Sequence, residues 1–199
     1  MAIGMRPLRC DTAEVRACRR FSEVYDEPEK AVRRACQAAM GLYEHFGPGG
    51  FRLFSAPGRA ELGGSHTDHN RGLGLAAAVQ ADILAAARPM AEPVVRLHSQ
   101  GYYTDGIDLT DLAPRPEERC HSASLIRGIA AGFRERGLAM GGFDAFTVSQ
   151  VPRGAGVSSS AAFEVLVASI FNGLYNGGAL DAVAVARIAQ EAENRYFGK

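Results

Sequence analysis

Tryptophan is absent from this 199-residue sequence, and lysine nearly so, with Lys30 and Lys199 alone among twenty-two basic residues. Cationic contacts to a phosphate must therefore come from arginine or from a metal ion. The four cysteines, Cys10, Cys18, Cys36 and Cys120, form no CxxC pair and no spacing with paired histidines. With no secretion signal in view they read as reduced packing thiols. Neither sign of charge prevails, because twenty-two acidic residues balance the basic ones. No basic run invites nucleic acid, and no acidic tail solvates an end. Apolar stretches are broken by Gly, Arg or Asp well short of a bilayer span, and no charged start with an apolar core opens the chain. The expectation is a soluble, cytoplasmic protein with no nucleic-acid and no membrane partner, its oligomeric state left open.

Two common nucleotide loops are also lacking. GxxxxGK followed by Ser or Thr does not occur, and Ser159 stands where the dinucleotide fingerprint needs its third glycine. What does occur is VPRGAGVSSSAAFEV at 151–165. A β-rich run at 143–151 enters it, and an apolar helix leaves it, with Ser158, Ser159, Ser160 and Ala161 in the first turn. Gly154 and Gly156 flank Ala155, which lets backbone approach a ligand closely. The N–H groups of the helix start and the helix dipole favour an anion there, and a phosphate is the natural occupant. Ordinary turn chemistry is the alternative. The three serines speak against it, because serine suits a buried helix start only when its hydroxyl caps an N–H or meets a ligand or metal.

The remaining chain reads as an α+β protein long enough to bury a sizeable core. Residues 1–26 are mixed, with one short helical candidate at 12–21. Ala31, Ala35, Cys36, Ala39, Tyr43 and Phe46 recur at helical spacing over 29–46, beside Arg33, Arg34 and Gln37, until GPGG at 47–50 stops the helix. Strands are expected at 51–55, across 72–88 as two apolar strands or one bent pair, at 94–99, at 106–109 and at 143–151. Helices are expected at 122–136, 161–175 and 181–197. The mixture suggests helices covering one side of a largely antiparallel sheet. No internal repeat or low-complexity segment appears.

Two further segments carry chemistry. APGRAELGGSHTDHNRG at 56–72 packs His, Asp, Arg and Ser beside glycines in what reads as a loop or short helix. His66, Asp68 and His69 miss the helical two-histidine spacing of zinc enzymes, so zinc is not expected. In the last helix, a wheel at about 100° per residue places Glu193 within the apolar face of Ala182, Val185, Ala189 and Ala192. An anion there needs a partner, and magnesium held between a serine hydroxyl and this carboxylate would supply one. Glu164, the single acid in the apolar helix at 161–175, is a secondary candidate, since a buried carboxylate needs a partner or a raised pKa and a backbone N–H of the helix's first turns could be that partner.

These motifs resemble those of the galactokinases within the GHMP kinase superfamily. Pro152, Gly154, Ala155, Gly156, Val157, Ser158, Ser159, Ser160 and Ala161 fall on its phosphate-binding motif. Arg59, His66, Thr67, Asp68 and Asn70 fall on the signature APGRVNLIGEHTDYN, and Gln190, Ala192, Glu193, Asn194, Phe197 and Gly198 on a magnesium-binding segment. Three positions depart: Glu61 replaces Asn, Ser65 replaces Glu, and His69 replaces Tyr. The resemblance implies a GHMP-kinase N-terminal domain over 1–199, of the ribosomal protein S5 domain 2-like type, a mixed or antiparallel sheet covered by helices.

It also implies transfer of the γ-phosphate of ATP, with Mg2+ on Ser158 and Glu193, to galactose or a related monosaccharide. Arg59 would neutralise transferring charge, while Ser65, His66 and Asp68 would bind sugar hydroxyls. A structural ion pair is the other use for Arg59. The family's CGxxDQ segment and its C-terminal domain do not follow within the 199 residues, so the expectation is a piece without the catalytic aspartate and inactive alone. A sugar- and ATP-binding regulator, or a GHMP kinase for a different sugar, are the other readings.

Overall fold

The computed structural model describes residues 15, 20–64, 73–99, 102–152, 156 and 158–198. Five strands form one sheet in the order β1-β2-β5-β3-β4: β1 (Arg52–Gly63), β2 (Leu75–Pro89), β3 (Val94–Ser99), β4 (Tyr102–Asp108) and β5 (Phe143–Ser149). Every pairing is antiparallel except β3 with β5, which is parallel. That pairing requires a crossover, supplied by β4 and the helix α3 (Ser122–Glu135). The helices before the sheet are α1 (Arg20–Val24) and α2 (Pro28–Phe46); those after β5 are α4 (Ser159–Tyr175) and α5 (Ala182–Ala192), the last running into a π turn at Glu193–Phe197. The helix expected at 12–21 lies largely outside the described residues.

Helices cover both faces of the sheet, where the sequence suggested one. Successive strand residues point to opposite faces, and β2 and β5 are apolar in both registers. Phe54, Ala56, Ile83, Ala85, Phe143 and Ala145 pack with α3, α4 and α5 in one core. Their neighbours Leu53, Leu84, Ala86, Phe146 and Val148 meet Ala31, Ala35, Ala38 and Leu42 of α2 in a second. A strand buried on both faces reads as a continuous apolar run, which is why 72–88 showed no clean alternation. It is a single long strand.

Local chemistry sets the helix ends. Pro28 at the start of α2 suits a position whose N–H has no helical partner, and Gly47 ends it at φ 79° while donating to the Tyr43 carbonyl at 2.9 Å. Asp181 caps α5 by accepting from the Ala184 N–H at 2.7 Å. Among the charged residues of the core, Arg127 is 1% exposed. It grips both Glu118 carboxylate oxygens at 2.9 and 2.7 Å and donates to the carbonyls of Asp108 and Asp111, pinning the connection between β4 and α3. Hydrogen bonding to Arg127 holds the Glu118 carboxyl below its usual range.

No helix among the described residues is long and apolar enough to cross a membrane.

Candidate phosphate and sugar site

The serine loop leaves β5 through a pinned exit. Gln150 N–H donates to the Asp82 carbonyl at 2.9 Å, and Val151 N–H donates to Ser149 Oγ at 3.1 Å. Pro152 is exposed at the mouth of the loop. Gly154, Ala155 and Val157 lie outside the described residues. Gly156 and Ser158 both have left-handed backbone, at φ 74° and φ 54°. For serine this conformation costs roughly 1–2 kcal/mol, and it turns the chain directly into α4. Ser158 makes no capping bond with its side chain. Ser159, Ser160 and Ala161 form the first turn, the stretch whose N–H groups an α-helix cannot bond internally. A left-handed turn feeding a helix start is a geometry that can cradle an anion.

Behind this cradle α4 is buried nearly all round, with Leu166, Val167, Ile170 and Phe171 fully enclosed. The helix start is thus anchored in the core. Glu164 is 2% exposed in this helix, as its position in an apolar run required.

Arg59 lies on a strand rather than in the expected loop. β1 continues to Gly63 because Arg59, Ala60, Glu61 and Gly63 pair with Ala78, Ala77, Ala76 and Leu75. The register shifts between Pro57 and Arg59, where proline has no N–H to give the ladder. Beyond that bulge the β1–β2 ribbon extends past β5, and its residues are largely exposed. Arg59 donates to Glu61 Oε1 at 3.2 Å, with both side chains about half exposed. Ser65, His66 and Asp68, three residues of the expected sugar site, lie outside the described residues.

Glu193 is half-buried at the point where α5 gives way to the π turn, which closes with Gly198 N–H on the Glu193 carbonyl at 3.1 Å. The regular wheel assumed for 181–197 therefore stops at Ala192, and Tyr196, with its hydroxyl donating to the Leu112 carbonyl at 2.9 Å, carries the apolar contact onward. Such π turns are frequent at functional sites. Among the described residues no group of three or more His, Cys, Asp and Glu gathers around one point. A carboxylate and a serine hydroxyl are a donor set that suits magnesium, which keeps several waters and takes one or two carboxylates plus substrate phosphates.

The sequence reading missed a buried polar knot beneath the site. Asp82 is 3% exposed. Its Oδ2 accepts from the Tyr25 hydroxyl at 2.5 Å and Ser55 Oγ at 2.6 Å, and its Oδ1 faces Arg34 Nη2 at 2.5 Å. Arg34, grouped above with the polar flank of its helix, is buried. Burial first, and then the bond to Asp82, push the Tyr25 hydroxyl up to about 12. Asp82 pairs with Pro57 of β1, and its carbonyl accepts from the N–H of Gln150, the residue that follows β5. It therefore joins the strand that carries Arg59 to the strand that delivers the phosphate loop. The available signal was a lone carboxylate in the apolar run from Leu75 to Ala87.

Comparison with known proteins agrees with these features. The galactokinase galactose-binding signature matches residues 43–89, and the GHMP kinases N terminal domain matches residues 124–199. A galactokinase of Roseiflexus sp. (strain RS-1) is 36% identical over 167 residues, covering 84% of this chain and 40% of the relative. One from Streptomyces coelicolor is 38% identical over 148 residues, covering 73% and 38%. The chain thus spans about 40% of the length of the curated relatives it matches.

Among solved structures, Lactococcus lactis galactokinase complexed with galactose superposes with a TM-score of 0.72 at 25% identity, over 81% of this chain and 42% of that one. Methanococcus jannaschii mevalonate kinase shares the fold, with a TM-score of 0.60 at 16% identity over 72% and 46%. The left-handed cradle before a buried helix, the strand carrying Arg59 and these matches converge: the chain belongs to the galactokinase family of the GHMP kinases.

Proposed function

We propose that residues 1–199 act as the N-terminal domain of an ATP-dependent kinase that phosphorylates galactose to galactose 1-phosphate. The observation that carries the reading is the left-handed Gly156–Ser158 turn into the buried helix α4, within a chain whose residues 43–89 match a galactose-binding signature. ATP supplies the transferable phosphoryl group, and Mg2+ bound with it neutralises charge on the phosphates.

The chain's own residues bind and orient. Gly154, Ala155, Gly156, Val157 and the serines 158–160 with Ala161 hold phosphate oxygens through backbone N–H and hydroxyl groups, and Pro152, which has no N–H to give, fixes the entry of the chain into the loop. Ser158 and Glu193 are the protein ligands for Mg2+. Asp68 accepts from two neighbouring sugar hydroxyls, with His66 and Ser65 beside it, which fixes the ring. Arg59, permanently charged, stabilises the negative charge that shifts as the sugar oxygen bonds to phosphorus and ADP departs.

Steady-state kinetics on the intact protein test these roles. Arg59→Ala and Glu193→Ala should lower kcat by about 10²–10³, and Asp68→Asn should mainly raise KM for galactose. Unchanged kcat in the first two variants removes their assignments. A higher kcat/KM for another sugar than for galactose moves the substrate, the outcome toward which Ser65 in place of glutamate points.

A further inference from the structure

β2 is tied to the centre of the sheet only as far as Asp82. Ile83 pairs with Ser149 of β5, and the Asp82 carbonyl accepts from the Gln150 N–H at 2.9 Å. Among the described residues, the part of β2 before Asp82 pairs with β1 alone. The β1–β2 ribbon that bears Arg59 therefore projects from Asp82 as from a pivot. Both arms leave this residue at close range: Arg59 follows Pro57, the partner of Asp82, by two positions, and Pro152 follows Gln150 by two. A small rotation of β2 here would carry Arg59 toward or away from the phosphate loop.

Backbone pairing alone does little to prevent that rotation, because a register shift lies on one side of the pivot and the end of β5 on the other. The Asp82 side chain is what is clamped. Its Oδ2 accepts from Tyr25 and Ser55, and its Oδ1 is paired with Arg34, with Asp82 itself nearly closed to water. Charge-assisted bonds in such surroundings are strong and directional, so the clamp fixes the pivot closely. Tyr25 immediately follows α1, and Arg34 belongs to α2. The two brace each other: the Tyr25 ring stacks on Phe21 with centroids 5.9 Å apart, and the Arg34 guanidinium lies 5.8 Å from the Tyr25 ring centroid. Neither falls within residues 43–89 or 124–199, the segments on which the family match rests.

We propose that Tyr25 and Arg34 are positioning residues for phosphoryl transfer, acting through Asp82 to fix the Arg59 ribbon against the phosphate loop. The inference rests on the proposed kinase activity. Ser65, His66 and Asp68 fall in sequence between β1 and β2, so the sugar is held by one arm of the pivot and the nucleotide by the other. Each substrate meets its own arm whether or not the pivot is firm. Their mutual approach is what the clamp governs, and approach of bound reactants is a kcat quantity.

The test is Tyr25→Phe in the intact protein, which keeps the ring and removes the hydroxyl. It should lower kcat about tenfold while KM for galactose and for ATP each change less than about twofold. Tyr175→Phe removes a hydroxyl bond to the Gly142 carbonyl, beside the opposite end of β5, and should leave kcat unaltered, which separates positioning from simple destabilisation. Ser55→Ala, which takes the other hydroxyl from the same carboxylate oxygen, replaces Tyr25→Phe should the latter unfold. Exchange of the Gln150 amide hydrogen should quicken about tenfold in Tyr25→Phe and not in Tyr175→Phe. With an active wild type, an unchanged kcat in Tyr25→Phe, an equal loss in Tyr175→Phe, or a loss residing wholly in KM overturns the positioning role alone. An unchanged Gln150 exchange rate overturns the coupling through Asp82 whatever the kinetics show. A wild type that phosphorylates no sugar overturns the kinase reading and the positioning role in transfer with it.

Discussion

Replacing Asp82 by leucine should be among the most damaging single changes in this chain. The substitution removes the acceptor of the Tyr25 and Ser55 hydroxyls and the counterion of Arg34 at one stroke. Breaking a buried ion pair from one side typically costs about 3–5 kcal/mol, because the remaining charge stays buried without compensation. Arg34 is only 9% exposed, so its charge stays largely out of water once Asp82 is gone.

Urea denaturation followed by circular dichroism would measure the change. With a slope of about 2 kcal/mol per molar, a loss of about 4 kcal/mol lowers the midpoint by about 2 M. The paired variant Arg34→Met with Asp82→Leu supplies the control. It should recover most of the loss, because an apolar pair of similar volume often replaces a buried ion pair at little cost. A single variant within about 1 kcal/mol of wild type, or a double variant no better than the single, would refute the claim that this knot carries uncompensated charge when broken.

Three further outcomes follow from particular residues. Gly156→Ala places a side chain at φ 74° and should cost roughly 1–2 kcal/mol locally; calorimetry should show weaker binding of a non-hydrolysable ATP analogue with the fold retained, and equal affinity would count against the cradle. Gly142→Ala would bring a Cβ to 2.0 Å from the Glu92 carbonyl oxygen and 2.5 Å from that of Val94, a backbone clash costing about 3 kcal/mol or more, to be read from chemical denaturation. The His98 imidazole, lowered below 6.5 by burial and by the His45 ring at 4.1 Å, binds protons less readily folded than unfolded. Its contribution is therefore complete above the unfolded value and is lost as pH falls from about 6.5 through the folded value. His98→Gln should flatten the decline in melting temperature across that window, and an unaltered decline would assign it to other groups.

Much of the fold could be read from local pattern because the signals were short-range. Ala31, Ala35 and Ala39 recur at helical spacing whatever lies opposite, and GPGG at 47–50 stops that helix, with Ala38 and Leu42 added to the buried face by the structure. The glycine and serine loop at 151–161 is likewise a local statement, since the groups that would form the cradle are neighbours along the chain. Arg59 was expected in a loop or short helix and lies on a strand. Its strand is extended by pairing with Ala76–Ala78, residues nearly twenty positions away, and the run from Pro57 to Gly64 gives no propensity for a strand.

What the sequence determined alone is therefore the chemistry present: arginine as nearly the sole cation, a glycine and serine cradle before an apolar helix, and one acid in each of two apolar runs. Tertiary structure decided where that chemistry acts. Whether helices cover one face of the sheet or two depends on which strands become its centre, and an apolar strand carries no mark distinguishing these cases. Arg34 and Asp82 show the same limit at the scale of a single contact. Arg34 looks like a surface charge in its own segment and Asp82 like a lone acid in an apolar run, and only the packing of α2 across β2 makes them a buried pair. Desolvation is a property of surroundings, which the identities of neighbours along a chain do not specify.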